Sequence, residues 1–363
     1  MPTTSWSTFP SLGKALLELE EILDRYHPQA EMHVQLLDIA FTIQTNSREL
    51  ILRLKDYFSL WVREGGEDKG HIIHAFEGQG VIDQGRLIDL PRSRGRSVKE
   101  AYYDTPDGRV ALKKRTGLVI YVKGRERYVV GELIKNLNQV INLVNEVYME
   151  DFMNRGYILL HASGVVGSDG GGVIISSPSG VGKSTMALAL LERGFRFLSN
   201  DRVLIDAKGD SVDMVGVPKK PRVNPGTILA LSSLHYLLSP QELKFYSSLD
   251  EEELWYLEHK FDVDVDGIYG PGTFVLRGRL EALYLLNWSR WEEKVRVEPL
   301  VPSEGLSLLR PQVLSSNLYR REIKSPQEVE SELSRLCERV RMYRVEGGVD
   351  AEELSQVIAQ RRG

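Results

Sequence analysis

The residues of this sequence with the most distinctive chemistry form a phosphate-binding loop. They read Ser-Pro-Ser-Gly-Val-Gly-Lys-Ser-Thr and end at Thr185. The glycines let the backbone wrap so that its N–H groups point inward at phosphate oxygens, the lysine can reach the β- and γ-phosphates, and the serine after it can hold Mg²⁺. We therefore predict an ATP and Mg²⁺ site that every residue of the loop lines: Ser177, Pro178, Ser179, Gly180, Val181, Gly182, Lys183, Ser184 and Thr185.

The segments around the loop are the ones that such a loop needs. An apolar run, Val173–Ile175, has the composition of a buried strand, and Met186–Arg193 has that of a helix capped by Gly194. The helix N-terminus adds partial positive charge where phosphate would bind. The pattern departs once from the usual one, because Ser177 stands where the first glycine is expected. The alternative interpretation is an ordinary glycine-rich turn between a strand and a helix.

Two further residues have side chains that could act on a bound phosphate. Asp201 follows Lys183 by eighteen residues, at the end of the next strand signal. A carboxylate there can coordinate Mg²⁺ or orient the hydroxyl that accepts the phosphate. It can equally be a turn residue that caps the segment after it. His161 lies in an apolar strand before the loop, where a lone histidine is usually a core residue.

Taken together, several short motifs resemble the HPr kinase/phosphorylase family and, more closely, the bacterial HPr-kinase-related kinases. They are His161, the loop Ser177–Thr185, the run Asn200–Val203 and the triplet Leu276–Gly278. The resemblance implies a phosphoenolpyruvate-carboxykinase-like nucleotide fold and transfer of phosphate from ATP, with Mg²⁺, to a hydroxyl, typically a protein serine. It also implies that His161 belongs to the active site, and an oligomer is expected because that family forms rings.

The loop and the resemblance together assign the expected catalytic and metal-binding roles to four residues. Lys183 balances the charge of the γ-phosphate, and Ser184 and Asp201 hold Mg²⁺. His161 and Asp201 orient or deprotonate the acceptor. The expected catalytic residues are therefore His161, Lys183 and Asp201. The expected acceptor is a hydroxyl of a protein, a peptide or a small molecule.

This chain departs from the resembled family at two positions. The family has two successive acids where this chain has Asn200 and Asp201, and an amide cannot take a proton. It also has a glutamate at the position that Val275 occupies here. Three interpretations stay open. Asp201 could both hold Mg²⁺ and act on the acceptor hydroxyl, or the acceptor could differ from that of the family. The protein could also bind nucleotide as a sensor without transferring phosphate.

Three other segments have unusual composition, and each keeps two interpretations open. The basic, proline-braced run Lys219–Thr227 suits either a phosphate clamp or a solvated turn. The run Asp262–Gly267 imitates the start of a calcium loop, but Thr273 stands where the bidentate glutamate belongs, so a strand or a mobile loop is the better interpretation. The stretch 86–127 has an excess of lysine and arginine that could receive an acidic partner or form a solvated face.

Length and composition narrow the class of protein. A chain of 363 residues can form two domains, and a net charge of −5 argues against a nucleic-acid partner. The single cysteine, Cys337, rules out an internal disulfide. We find no signal peptide pattern and no stretch apolar enough to cross a membrane, so we expect a soluble cytoplasmic protein.

The pattern of elements predicts an α/β fold in which a smaller α+β domain, residues 1–150, precedes a kinase domain with a phosphate loop, residues 151–363. The resemblance implies that this kinase domain has the phosphoenolpyruvate-carboxykinase-like fold. In the first domain we expect a strand over His33–Thr42 and a helix that Ser47 caps and that runs to Val62. In the second, we expect a strand over Tyr157–Val166.

Overall fold

The computed structural model describes residues 12–65, 70–90, 98–106, 108–288, 294–314 and 324–362. The described residues up to Tyr148 belong to one compact unit, and those from Met149 onward belong to a second. Both units combine helices and sheet, so the chain is a mixed α/β protein with more than one sheet. Independent folding of residues 1–150 and 151–363 remains a proposal. Within the described ranges, no helix is long and apolar enough to cross a bilayer.

The first unit is built on a mixed sheet whose strand order is β3-β1-β2-β4-β9-β8-β7-β6-β5. Strands β2, β4 and β9 run parallel to one another, whereas β1 pairs antiparallel with β2 and β8 pairs antiparallel with β9. The strands are β1 (Ala30–Leu36), β2 (Ile39–Thr45), β3 (Val62–Arg63), β4 (His71–Glu77), β5 (Ile88–Asp89), β6 (Glu100–Thr105), β7 (Gly108–Lys113), β8 (Leu118–Lys123) and β9 (Glu126–Gly131). The helices are α1 (Leu12–Arg25), α2 (Arg48–Tyr57) and α3 (Leu137–Asn154), the last of which contains the boundary between the units.

Two local predictions for this unit need correction. The predicted strand His33–Thr42 is a hairpin, because Leu37 adopts a left-handed φ of 55° and turns the chain so that Leu36 pairs with Ile39. The predicted helix does start at Ser47, whose Oγ accepts a hydrogen bond from the Leu50 amide at 3.2 Å. It ends at Tyr57 rather than Val62, since the chain leaves it to form β3.

The second unit contains a sheet with strand order β10-β14-β15-β18-β12-β11-β13. Strand β20 pairs with β18 in parallel, and β19 pairs with β20 antiparallel. A separate short ladder joins β16 to β17. The strands are β10 (Ile158–Leu160), β11 (Ala162–Val166), β12 (Gly171–Ser176), β13 (Arg196–Ser199), β14 (Val203–Asp206), β15 (Asp213–Gly216), β16 (Arg222–Val223), β17 (Phe261–Asp262), β18 (Arg277–Leu286), β19 (Val295–Pro299) and β20 (Arg341–Gly347).

Helices cover both faces of this sheet. Because side chains alternate along a strand, Val173 and Ile175 of β12 pack on one face and Ile174 packs on the other. A strand buried on both faces reads as a continuous apolar run, which is the pattern seen in the sequence. The helices are α4 (Lys183–Leu191), α5 (Pro225–Ala230), α6 (Pro240–Ser247), α7 (Glu251–Tyr256), α8 (Val265–Tyr269), α9 (Pro302–Leu309), α10 (Pro326–Arg339) and α11 (Ala351–Arg362). Helices α4 and α11 lie on the first face, and α9 and α10 on the second.

The predicted strand Tyr157–Val166 is broken at His161 into β10 and β11. Strand β10 pairs with β14, whereas β11 pairs with β12 and β13. The His161 amide donates to the carbonyl of Gln312 at 2.8 Å, outside either ladder. The break therefore places His161 at a strand end instead of inside a regular strand.

Candidate active site

The phosphate-loop segment connects β12 directly to α4. Gly180 and Gly182 have left-handed φ values of 85° and 102°, a conformation that costs glycine little and other residues much. Pro178, Ser179 and Gly180 are exposed, whereas Ser177 is buried where the strand ends. The sequence therefore folds here into the strand, glycine turn and helix that an anion-binding loop requires.

Lys183 opens α4 and is only 5% exposed. Its Nζ donates to the carbonyl oxygens of Ser177 and Pro178 at 2.8 and 2.9 Å. Burial lowers the pKa of Lys183 to about 8, and the Asp201 carboxylate opposes that shift. The ammonium group is thus hydrogen-bonded to carbonyl oxygens of the loop itself.

Strand register brings His161 and Asp201 to the same end of the sheet as the loop. Ala162, next to His161, pairs with Ser176, and Gly164 pairs with Ser199. The Ser176 hydroxyl also donates to the His161 carbonyl at 3.0 Å. His161, the loop and the turn that carries Asp201 therefore follow or precede strand ends that lie at the same end of the sheet.

The turn that carries Asp201 is held by two serines. The Ser163 hydroxyl donates to the carbonyl of Asn200. The Ser199 hydroxyl donates to the Arg202 carbonyl at 2.6 Å and accepts from the Val217 amide at 3.2 Å. Asp201 itself is exposed. These contacts fix the backbone of the turn while the carboxylate remains accessible.

His161, Lys183 and Asp201 interact electrostatically with one another. Burial and the nearby positive charge of Lys183 lower the pKa of His161 from its ordinary value of 6.5, and Asp201 acts in the opposite direction. The imidazole is therefore neutral at pH 7 and can accept a proton. The three residues that the sequence and the resemblance predicted as catalytic therefore lie in one site. Their catalytic roles remain predictions.

The departures from the resembled family have clear structural settings. Asn200 is 9% exposed, and its Oδ1 has no hydrogen-bond partner among the described residues. Val275 is half-buried and packs against the apolar cluster on the face of the sheet that α10 covers. Arg277, two residues later, forms an ion pair with Asp213, whose Oδ2 lies 3.3 Å from the arginine Nε. A valine at position 275 thus adds to packing and supplies no carboxylate.

The basic segment Lys219–Thr227 lies beside the loop helix. The Thr227 hydroxyl is 2.8 Å from the hydroxyl of Thr185, and Val223 is buried in the same apolar cluster as α4. Arg222 is exposed. The segment therefore packs against the loop helix and is not a solvated turn far from the site. Its contact with a ligand remains a prediction.

The Asp-Val repeat forms the short strand β17 and the helix α8. Asp266 is used structurally, since its carboxylate accepts from the amides of Phe274 at 2.7 Å and Gly272 at 3.2 Å. Among the described residues, no group of three or more His, Cys, Asp or Glu side chains could hold a metal ion. The segment therefore forms a short strand and a short helix, where the sequence predicted a strand or a mobile loop.

Two contacts of the loop were missed by sequence reasoning. One is the pair of hydroxyls on Thr185 and Thr227. The other is Trp288, whose Nε1 donates to the carbonyl of Val181 at 2.6 Å. A buried tryptophan usually finds an acceptor for its N–H, so Trp288 gave a general signal, but nothing in the sequence named its partner.

Comparison with known proteins finds similarity over a short stretch of the chain. No protein-family model matches the chain. An HPr kinase/phosphorylase from Chloroherpeton thalassium is 51% identical over 45 residues, which are 12% of this chain and 13% of that protein. The resemblance to HPr kinase/phosphorylase is therefore confirmed. Because the matched part is a small fraction of that relative, its activity and partners are not transferred to this chain by the match.

A solved structure, described as the Hpr(Ser) kinase/phosphatase from Coxiella burnetii, is also similar to this chain. The match has 15% sequence identity and a TM-score of 0.29, and it covers 56% of this chain and 95% of the other. At that TM-score we base no conclusion on the superposition.

Proposed function

We propose that this protein is an ATP-dependent kinase that uses Mg²⁺ and transfers phosphate to a hydroxyl of a protein, a peptide or a small molecule. The observation that carries the proposal is the meeting of Lys183, His161 and Asp201 at the loop, where Asp201 influences the pKa of both other residues. Phosphoryl transfer depends mainly on positioning and on neutralising charge, and these residues supply both. We further propose a phosphoenolpyruvate-carboxykinase-like arrangement of the second unit and a cytoplasmic location.

The residues present fit ATP and Mg²⁺. Gly180 and Gly182 have the left-handed backbone of an anion-binding turn, and Lys183 is held at its mouth by carbonyl oxygens that a phosphate could replace. Mg²⁺ commonly binds through one or two protein oxygens plus substrate phosphates, so Ser184 and Asp201 are a sufficient protein contribution. When bound, the ion would neutralise charge on the transferred group.

Each of the three catalytic residues then has its own role in the proposed reaction. Lys183 holds the phosphate that is transferred, and the amides of the loop point at its oxygens. His161 is neutral and half-buried, so its ring can accept the proton of the acceptor hydroxyl or orient that hydroxyl. Asp201 is exposed, as a group that meets both the ion and an incoming acceptor must be.

A second candidate is a nucleotide sensor that binds ATP without transferring phosphate. Asn200 favours it, because this buried amide stands where the resembled family has an acid. Val275 favours it too, since it replaces a second carboxylate.

Incubation with ATP labelled on its γ-phosphate distinguishes the two candidates. The kinase releases ADP and transfers label to a hydroxyl-bearing acceptor from a panel of proteins, peptides and small molecules. Binding of ATP without ADP release, across the whole panel, would replace the kinase with the sensor. ADP release with free labelled phosphate would indicate a hydrolase.

The pH dependence of kcat/KM is expected to be bell-shaped. The His161 ring accepts a proton only above its pKa, which lies below 6.5, so activity should fall on the acidic side beneath that value. Lys183 loses its charge in the free protein as the pH rises through about 8, so affinity for phosphate should fall on the basic side. Steady-state rates between pH 5 and 10 measure both limbs.

Two variants assign these limbs. His161→Gln should remove the acidic limb from the remaining activity, and Lys183→Arg, which keeps its charge, should remove the basic one. A profile that is flat over this range in the wild type, or limbs that persist in both variants, would contradict the assigned roles.

A further inference from the structure

Trp288 meets the phosphate-binding loop through two separate contacts. Its indole Nε1 donates to the carbonyl oxygen of Val181 at 2.6 Å. The ring also lies against Gly182, because a Cβ added at that glycine would lie 2.9 Å from Cζ2 of the ring. The side chain is 8% exposed, so the contact is inside the protein and not a surface encounter.

The hydrogen bond fixes the orientation of one peptide group of the loop. Peptide units are planar and trans, so the carbonyl of Val181 and the amide N–H of Gly182 point in opposite directions. With the carbonyl held toward Trp288, the N–H of Gly182 points away from the indole. To bind phosphate, the loop must point its amide N–H groups toward the anion and its carbonyl groups away from it. The contact with Trp288 holds the carbonyl of Val181 in the second orientation.

The ring gives a second reason for glycine at position 182, in addition to the left-handed backbone conformation of that residue. Gly182 has a φ of 102°, and a methyl group there would press on the indole at 2.9 Å. Trp288 lies just after β18, which is paired in parallel with β12, the strand that leads into the loop. The sheet thus sets the position of the indole and of the loop together.

We propose that Trp288 is a positioning residue of the nucleotide site, which holds the Val181–Gly182 peptide in the orientation that binds the phosphate chain. The proposal rests on the kinase function proposed above and names a residue that this function did not include. Trp288 touches the loop and acts through it on the nucleotide phosphates.

The test compares Trp288→Phe, which keeps a ring but loses the donor, with Tyr284→Phe as the matched control. Tyr284 is a buried aromatic residue of β18 that stacks on Tyr343. For Trp288→Phe, the Kd of Mg-ATP should rise about tenfold, since a carbonyl loses its partner. The Kd of inorganic tripolyphosphate should rise by a similar factor, whereas the control should match the wild type.

Two further readouts separate positioning from general damage. KM for ATP should rise in Trp288→Phe more than kcat falls, and hydrogen exchange should quicken at the amides of residues 180–183 while it stays unchanged in α10. Trp288→Tyr, which restores a donor on a ring, should recover part of the affinity. This variant also provides the comparison if Trp288→Phe does not fold.

The outcomes are distinct. A folded Trp288→Phe protein, or a Trp288→Tyr protein if the first does not fold, with wild-type Kd values and unchanged exchange in the loop overturns the role of Trp288 and leaves the kinase proposal intact. A wild-type protein that binds neither Mg-ATP nor tripolyphosphate overturns both proposals. Affinity loss that is confined to the Trp288 variants supports the positioning role.

Discussion

Replacing Lys183 with alanine is expected to lower phosphoryl transfer by about three orders of magnitude, the upper end of the loss seen when one preorganised donor is removed from a reaction centre. The ammonium group is buried at the mouth of the loop and is the positive charge closest to the site of transfer in our assignment. ATP binding should weaken as well, because a charge-assisted contact with phosphate is lost. Rates of ADP formation and a nucleotide titration measure the two effects.

Lys244→Ala is the matched control for this change. Lys244 is an exposed lysine of α6 in the same unit, outside the proposed site, so its loss should leave both quantities unchanged. Thermal denaturation of both variants checks that the fold survives. Wild-type binding and turnover in Lys183→Ala would show that the loop does not bind nucleotide phosphate.

The second large effect is expected at Asp201. Asp201→Asn keeps the shape of the side chain and removes its charge, which our assignment uses to hold Mg²⁺ and to orient the acceptor. Because that charge matters most in the transition state, kcat should fall by about two orders of magnitude or more, while the affinity for ATP falls less. The amides of the loop and Lys183 remain to bind the phosphates.

Asp210→Asn provides the comparison for this variant. Asp210 is an exposed turn residue of the same unit and plays no part in the proposed site. The measurement is the rate of phosphate incorporation at saturating ATP for both variants and the wild type. An Asp201→Asn protein with unchanged kcat would end the catalytic assignment of this residue. Turnover absent in every version, with ATP still bound, would favour the sensor.

The elements around the loop could be predicted because their signals are local. The apolar run of β12 is buried on both faces of a sheet, and glycines mark the turn before α4. In the same way, the Ser47 cap was predictable because its acceptor atom and the amide that it binds are three residues apart.

The features that sequence reasoning missed depend on contacts between distant residues. Where the predicted strand is interrupted at His161, the amide donates to the carbonyl of Gln312, which is 151 residues away in the chain, and no local sequence pattern identifies that partner. The contact of Trp288 with Val181 spans 107 residues. The hairpin at Leu37 was missed for a different reason, since leucine seldom adopts a left-handed φ.

The grouping of the site residues was predictable only in part. Motif spacing nominated the loop and Asp201, and the resemblance raised His161 from a core residue to a site residue. Their meeting at one end of the sheet follows from the register of β11 with both β12 and β13, which the sequence does not specify.

The most direct test of the central claim is a calorimetric titration of ATP into the wild-type protein, with Mg²⁺ and again with excess EDTA. The account predicts saturable binding of one ATP per chain with Mg²⁺, weaker binding without it, and competition by inorganic tripolyphosphate, because the loop recognises the phosphate chain. Absence of saturable binding at millimolar ATP with Mg²⁺, in a protein shown to be folded, would contradict the account.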